Sequence, residues 1–71
     1  MCQATVYLAQ DGQEKELMRD VVLLEPVEGG LRLQAFFEEP VTVQARVSRI
    51  DFLKHTVTLI PLGEVEHGDD D

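Results

Sequence analysis

Cys2 is the only cysteine in the 71-residue chain, and it directly follows Met1. A thiolate is a ligand for soft and borderline metal ions, and main-chain nitrogen is close by. If Met1 is removed, the amine and thiol of Cys2 form a five-membered chelate ring with a metal. If Met1 is kept, a deprotonated amide nitrogen of Cys2 or Gln3 can replace the amine. Cys2 and Gln3 are therefore the candidate metal ligands, and the alternative for Cys2 is a small buried hydrophobe.

A predicted first strand carries this thiol. Its small and apolar residues recur at every second position, which places them on one face: Cys2, Ala4, Val6 and Leu8. Cys2 is thus predicted on the inward side of the strand, at its open end. The dipeptide Asp11-Gly12 predicts a hairpin turn after this strand. Residues 13–17 are compatible with a partner strand or with a short helical turn.

Further strands follow about every ten residues, a spacing typical of all-β domains. Residues 21–24 are continuously apolar, which favours a strand covered on both faces. Pro26 places the end of that strand near a sheet edge, and residues 28–30 form the next turn. Residues 31–37 alternate, with Phe37 predicted in the core and Phe36 on the opposite face as a dimer contact.

The alternation of residues 41–47 changes phase before the next apolar residues. Two polar residues, Ser48 and Arg49, separate Val47 from Ile50. A β-bulge or a sharp bend there would restore the alternation for Ile50 and Phe52, as small barrels require at corners. Residues 51–55 contain a turn, and residues 56–62 form the last strand.

These patterns predict one all-β domain, residues 1–62, followed by an acidic tail, residues 63–71, that is disordered. The expected architecture is a five- to six-stranded antiparallel barrel or meander of the SH3- or Sm-like kind. A core of this size is marginal alone and gains from oligomerisation or a metal, and one cysteine cannot form an internal disulfide.

Charge and composition restrict the partners. The chain contains six basic and fourteen acidic residues, and its net charge of -8 opposes binding to phosphate backbones. A free thiol suits a reducing cytosol, so a cytoplasmic location is expected. No secretion signal is recognisable, and no apolar run approaches the roughly 20 residues that a membrane-spanning helix requires.

The chain resembles the CooT-like small nickel-binding proteins. The resemblance rests on the opening M-C-x-A-x-V-Y, a short acidic five-strand pattern and the segment I-D-x-x-x-H, and it covers residues 1 to about 62. It implies a homodimer with a small barrel-like fold that binds Ni(II) through the cysteine at position 2. It also implies a role in nickel delivery or storage for an enzyme such as carbon monoxide dehydrogenase, or for its maturation factors.

The other candidate residues and functions have less support in the sequence. His55 lies in a predicted turn, where an exposed histidine is the default, and nothing in the sequence brings it near Cys2. His67 belongs to the acidic tail, and no histidine–nucleophile motif, phosphate loop or CxxC motif indicates an enzyme. A metal-free module that binds a protein or RNA is the second hypothesis, with a basic face formed on neighbouring strands by Arg32, Arg46 and Arg49.

The loss of apolar residues after Gly63 generates a first prediction. Truncation after Leu62 should leave thermal stability and nickel affinity unchanged, because the removed segment contributes neither core nor ligands. Calorimetric unfolding and nickel titration of the truncated chain measure both quantities. A large fall in either one would show that the tail packs or ligates.

Overall fold

Six strands and no helix make up residues 3–63, the part of the chain that this computed structural model describes. The strands are β1 (Ala4–Gln10), β2 (Gln13–Val27), β3 (Gly30–Ala35), β4 (Val41–Val43), β5 (Ala45–Asp51) and β6 (Thr56–Pro61). They form one sheet in the order β4-β3-β2-β1-β6-β5, curled into a half-barrel. The predicted all-β class is thus confirmed, and residues 64–71 of the predicted tail lie outside the described part.

The first strand lies in the middle of the sheet, between β2 and β6. It pairs with β2 through the predicted Asp11-Gly12 turn, and residues 13–17 are strand rather than helix. Its other neighbour, β6, runs parallel to it, from Thr5 opposite Thr56 to Leu8 opposite Leu59. The remaining ladders are antiparallel, as predicted. No tight turn can join a parallel pair, so no turn motif in the local sequence predicts this ladder.

The curl of the sheet originates in β2, which is 15 residues long. Its first half pairs with β1 and its second half with β3. Two register shifts interrupt the ladder with β1 and one interrupts the ladder with β3. Asp20 lies among these irregularities with a φ of 59°. Because each bulge bends a strand and increases its twist, β2 can pair with strands in both halves of the curled sheet.

The core lies on the concave face of the half-barrel. Its most deeply buried side chains are Val6, Leu33 and Leu59, one from each of three strands, and all are fully inaccessible. The other buried members of this cluster are Val21, Leu31, Ala45 and Val57. In β6, Val57, Thr58 and Leu59 are buried consecutively, so this strand is covered on both faces over these residues. In β1, the neighbour of β6, residues 4–9 are all buried or half-buried.

Two sequence predictions about burial were wrong. Residues 21–24 are not covered on both faces: Val22 and Leu23 are 46% and 41% exposed, and they lie at a register shift in the ladder with β3. Phe37 is 99% exposed rather than core. Strand β3 ends at Ala35, and Phe37 adopts a φ of 61° in the following turn, so the alternation no longer applies to it.

The predicted bulge near Ser48 is confirmed. The ladder between β5 and β6 shifts register between Val47 and Arg49, so two residues of β5 face one residue of β6. Residues 41–47, however, are two strands rather than one. The chain bends at Gln44, where β4 leaves the edge beside β3 and β5 begins at the other edge beside β6. The carbonyl of Gln44 accepts the amide of Leu62 at 3.0 Å, which fixes this corner.

Gly30 generates a prediction about stability. It has a φ of 155°, and a Cβ atom built on it would collide with the carbonyl oxygen of Val43. Gly30→Ala should lower the free energy of unfolding by roughly 3 kcal/mol, through overpacking and backbone strain together. Gly29→Ala is the matched control, since Gly29 also has a positive φ but has open space around it. Denaturant unfolding that gave equal losses for both variants would contradict the steric explanation.

Candidate functional site

The N-terminal end of β1 opens onto an apolar pocket of about 410 Å³. Gln3 and Ala4 line one side of it. The other side comes from the end of β5, the following turn and the start of β6: Ile50, Asp51, Phe52, His55, Thr56 and Val57. Val57 belongs to the buried core and Ala4 packs against it, so the pocket continues the core outward at an open end of the half-barrel.

A short turn holds the far side of the pocket in place. The Asp51 carboxylate accepts the backbone amide of Lys54 at 3.0 Å, as an aspartate that initiates a turn commonly does. His55 ends the turn with a φ of 56°, in the left-handed region. Its carbonyl oxygen then accepts the amide of Thr5 at 3.0 Å. This bond lies at the start of the parallel ladder, and it fixes His55 beside the beginning of β1.

The structure describes some of the predicted metal ligands and not others. Cys2 lies outside the described residues, and so does His67. Gln3 is half-buried and lines the pocket. His55 was interpreted as an isolated turn residue, yet it lines the same pocket as Gln3. Only the parallel pairing of β1 with β6 reveals this neighbourhood, and no local pattern in the sequence could have done so.

The donor chemistry of this pocket can be compared with the needs of a metal ion. Within residues 3–63, no group of three or more histidine, cysteine, aspartate or glutamate side chains is arranged to hold a metal. His55 supplies one imidazole, and the carboxylate of Asp51 already accepts the amide of Lys54. The pocket therefore fits a metal only when donors from the N-terminus, from a second chain, or from both are added.

Exposed apolar side chains lie on both sides of the start of β1. In the turn after β5, Phe52 and Leu53 are 82% and 89% exposed, and Ile50 at the end of β5 is also exposed. On the other side, β2 continues past Val21 with Val22 and Leu23 exposed. A second aromatic surface lies in the turn after β3, where Phe36 stacks on Phe37 with ring centroids 5.1 Å apart. Exposed apolar surface of this extent commonly marks an interface.

The arginines predicted as an RNA-binding face are not on neighbouring strands. Arg32 lies on β3, whereas Arg46 and Arg49 lie on β5 at the far edge of the sheet order. Arg32 donates to the Glu25 carboxylate at 2.7 Å. Arg49 lies 3.8 Å from the carboxylate of Glu14. Two of the three arginines thus lie beside carboxylates, which offset the positive charge that an RNA-binding face requires.

One further ion pair lies on the exposed surface of β2. The Arg19 guanidinium donates two hydrogen bonds of 2.9 Å to the Glu16 carboxylate. This hydrogen bonding lowers the pKa of Glu16 and raises that of Arg19. Exposed pairs of this kind contribute little to stability. Neither residue lines the pocket, so this pair is not part of the candidate site.

Comparison with known proteins identifies the family. The family described as CO dehydrogenase accessory protein CooT matches residues 1–60. The crystal structure of a candidate CooT from Carboxydothermus hydrogenoformans superimposes with a TM-score of 0.78 at 25% sequence identity, and covers 84% of this chain and 97% of that one. No curated protein sequence gives a significant match. In the described residues, no helix is long and apolar enough to cross a membrane. The family match spans most of the chain, which therefore belongs to the CooT family of CO dehydrogenase accessory proteins.

Proposed function

We propose that this protein binds Ni(II) through Cys2 and main-chain nitrogen at Cys2 or Gln3, at the interface of a homodimer. It delivers or stores the ion in the cytoplasm for a nickel enzyme such as carbon monoxide dehydrogenase, and it is not itself an enzyme. The observation that carries the proposal is the position at which β1 begins. Strand β1 begins at an apolar pocket surrounded by exposed apolar side chains.

The donor count supports a site shared by two chains. Nickel here is cargo, which has to be held firmly and then released. A square-planar Ni(II) ion takes four donors of the thiolate and nitrogen kind. One N-terminus supplies about two such donors, and the described residues hold no ready-made cluster that would supply the others. Two N-termini brought together across a twofold axis complete an N2S2 set.

The exposed apolar residues support the place of the interface. A twofold interface uses the same surface of both subunits. If the surface around Phe52 and Leu53 is that interface, the pockets containing Gln3 meet across the axis, and with them the two N-termini. Burial of these side chains also enlarges a core that is small for an independent domain. The client enzyme is inferred from the family, because CooT proteins are accessory to CO dehydrogenase.

The first prediction from this proposal concerns the thiol. Cys2→Ser should abolish the thiolate-to-nickel charge-transfer absorption and the tight binding of Ni(II), because serine offers no soft sulfur donor. Far-ultraviolet circular dichroism should be unchanged, since serine is close to cysteine in size and the described core cluster draws on residues 6–59. Absorption spectra and calorimetric titration measure the two effects. A Cys2→Ser protein that binds nickel as tightly as the wild type would rule out the assignment.

The second prediction concerns stoichiometry, oligomeric state and pH. The metal-free protein should be a dimer that saturates at one nickel per two chains. A free thiol titrates near pH ~8.5, so binding at neutral pH releases protons, and the affinity should fall as pH is lowered from about 8 to about 6. Sedimentation, followed by titration in buffers of different ionisation heat, measures these quantities. A monomer that takes one nickel per chain without proton release would contradict the shared site.

A pair of variants locates the dimer interface within this second prediction. Phe52→Glu should give monomers with weakened nickel binding, because a charge replaces an apolar contact beside Gln3. Phe37→Glu is the matched control, since Phe37 is an equally accessible phenylalanine in another turn. If Phe37→Glu separates the subunits and Phe52→Glu does not, the interface lies at the Phe36 surface, as the sequence pattern suggested.

A further inference from the structure

The turn after β3 presents two phenylalanine rings to solvent. Phe37 is almost fully exposed, Phe36 is also exposed, and their rings stack on each other. Two exposed glutamates, Glu38 and Glu39, follow directly in the sequence. Residues 36–39 are called the aromatic turn below. Apolar rings in water forgo the stabilisation that burial provides, and aromatic residues are enriched at protein–protein interfaces.

Hydrogen bonds hold the aromatic turn in one conformation. The Phe36 amide donates to the Asp20 carbonyl at 3.1 Å, and the Glu38 amide donates to the Ala35 carbonyl at 3.2 Å. The side chain of Gln34 also donates to the Glu38 carbonyl, at 3.2 Å. A segment that is already ordered binds a partner at a lower entropic cost. The turn is therefore preorganised to present its rings.

Phe37 has an unfavourable backbone conformation. Its φ of 61° lies in the left-handed region, which a bulky side chain rarely adopts. Glycine or asparagine would occupy this position with less strain. Strained residues of this kind persist mainly where function needs their geometry. The phenylalanine at this position thus indicates a role for the ring itself.

The register of the sheet places the aromatic turn at the same end of the half-barrel as the start of β1. Val21 of β2 pairs with Ala4 on one side and with Ala35 on the other. Paired strands are roughly 4.8 Å apart, so the Cα atoms of Ala4 and Ala35 are separated by no more than about 10 Å across the sheet. The aromatic turn begins directly after Ala35. A protein bound to it therefore lies beside the place where β1 begins.

Three exposed acidic residues border the exposed rings. Glu38 and Glu39 belong to the turn, and Asp20 is joined to it through the backbone. The arginines of β2 and β3 pair with other carboxylates, those of Glu16 and Glu25. A twofold contact between two aromatic turns would bring the same carboxylates together, in chains that each carry a net charge of -8. Charge complementarity therefore favours a basic partner over a second copy of this chain.

We propose that the aromatic turn is the docking surface for the client enzyme, which receives it in an apolar pocket bordered by lysine and arginine side chains. The rings of Phe36 and Phe37 fill that pocket, and the carboxylates face its basic border. Basic side chains also bind favourably to the faces of aromatic rings. This inference rests on the proposed function, because the client is the nickel enzyme named there. It extends that function by assigning the surface that holds the client beside the start of β1.

The third prediction tests the exposed ring. Phe37→Asn removes it and keeps the backbone, because asparagine tolerates the left-handed conformation. The variant should bind nickel-free carbon monoxide dehydrogenase at least ~10-fold more weakly than the wild type, as expected when an aromatic anchor of an interface is truncated. Surface plasmon resonance with the immobilised enzyme as the probe measures this affinity. Circular dichroism, sedimentation and nickel titration should give the wild-type fold, dimer and Ni(II) affinity.

Two double variants test the charges within this prediction. Glu38→Gln combined with Glu39→Gln should slow association with the enzyme and make its rate less dependent on salt. Asp11→Asn combined with Glu28→Gln is the matched control, because it removes the same number of charges from the turns before and after β2. The control should associate nearly as fast as the wild type. An equal loss in both double variants would attribute the effect to net charge and contradict the docking surface.

The outcomes separate this inference from the proposed function. If Phe37→Asn is folded and dimeric yet binds the enzyme as tightly as the wild type, or if the wild type does not bind it, the docking surface is wrong. If Phe37→Asn is monomeric, the aromatic turn is a contact between subunits, and the docking surface is again wrong. If Cys2→Ser retains tight nickel binding, the proposed function is wrong, whereas a weakened complex of Phe37→Asn still supports the docking surface.

Discussion

The parallel ladder between β1 and β6 is the constraint on which the rest of the structure depends. It places the first strand in the middle of the sheet, with β2 on one side and the last strand on the other. Among the described strands, it is the backbone ladder that joins β5 and β6 to the rest of the sheet. The ladder also determines which residues meet at the chain start, because a parallel pair aligns the beginnings of both strands. The start of β1 therefore lies beside His55, at the end of the last turn.

The irregular geometry of β2 determines the shape around that ladder. A flat strand of 15 residues would extend past both neighbours, whereas the register shifts near Asp20 coil β2 so that its halves pair with β1 and β3. The half-barrel closes its core over Val6, Leu33 and Leu59, yet stays open where β1 begins. Val22 and Leu23 remain uncovered there. The open end is thus a consequence of how the strands are offset.

An apolar, open end where β1 begins is consistent with the proposed role as a carrier of a cation. If the protein has that role, the apolar walls of the pocket offer few competing donors, and the affinity would depend on a small number of ligands that can exchange. The net charge of -8 raises the local concentration of cations and disfavours nucleic acid. Exposed Phe52 and Leu53 give the same region a surface that a second copy can cover. Binding of cargo and association of subunits would then be coupled at one place.

Much of the local structure followed from the sequence because it depends on near neighbours. The period-two alternation of Val6 and Leu33 with polar residues, the Asp11-Gly12 turn and the phase change at Ser48 each indicated a feature that the structure confirms. The first residues, with their single cysteine, also pointed to the CooT family, to which the chain belongs. Where alternation was extended into turns, it misassigned Phe37, because a positive φ reverses the direction of a side chain.

Only the tertiary structure decided which distant residues meet. The neighbourhood of Gln3 and His55 depends on a parallel pairing whose partners are some fifty positions apart in sequence, and no turn residue or periodicity encodes such a pairing. The exposure of Val22 and Leu23 likewise depends on which parts of the fold pack against the faces of β2. The sequence by itself determined the strands, most turns and the identity of the thiol. The shape of the open end and the residues that surround it follow from long-range packing, since burial is a property of the whole sheet.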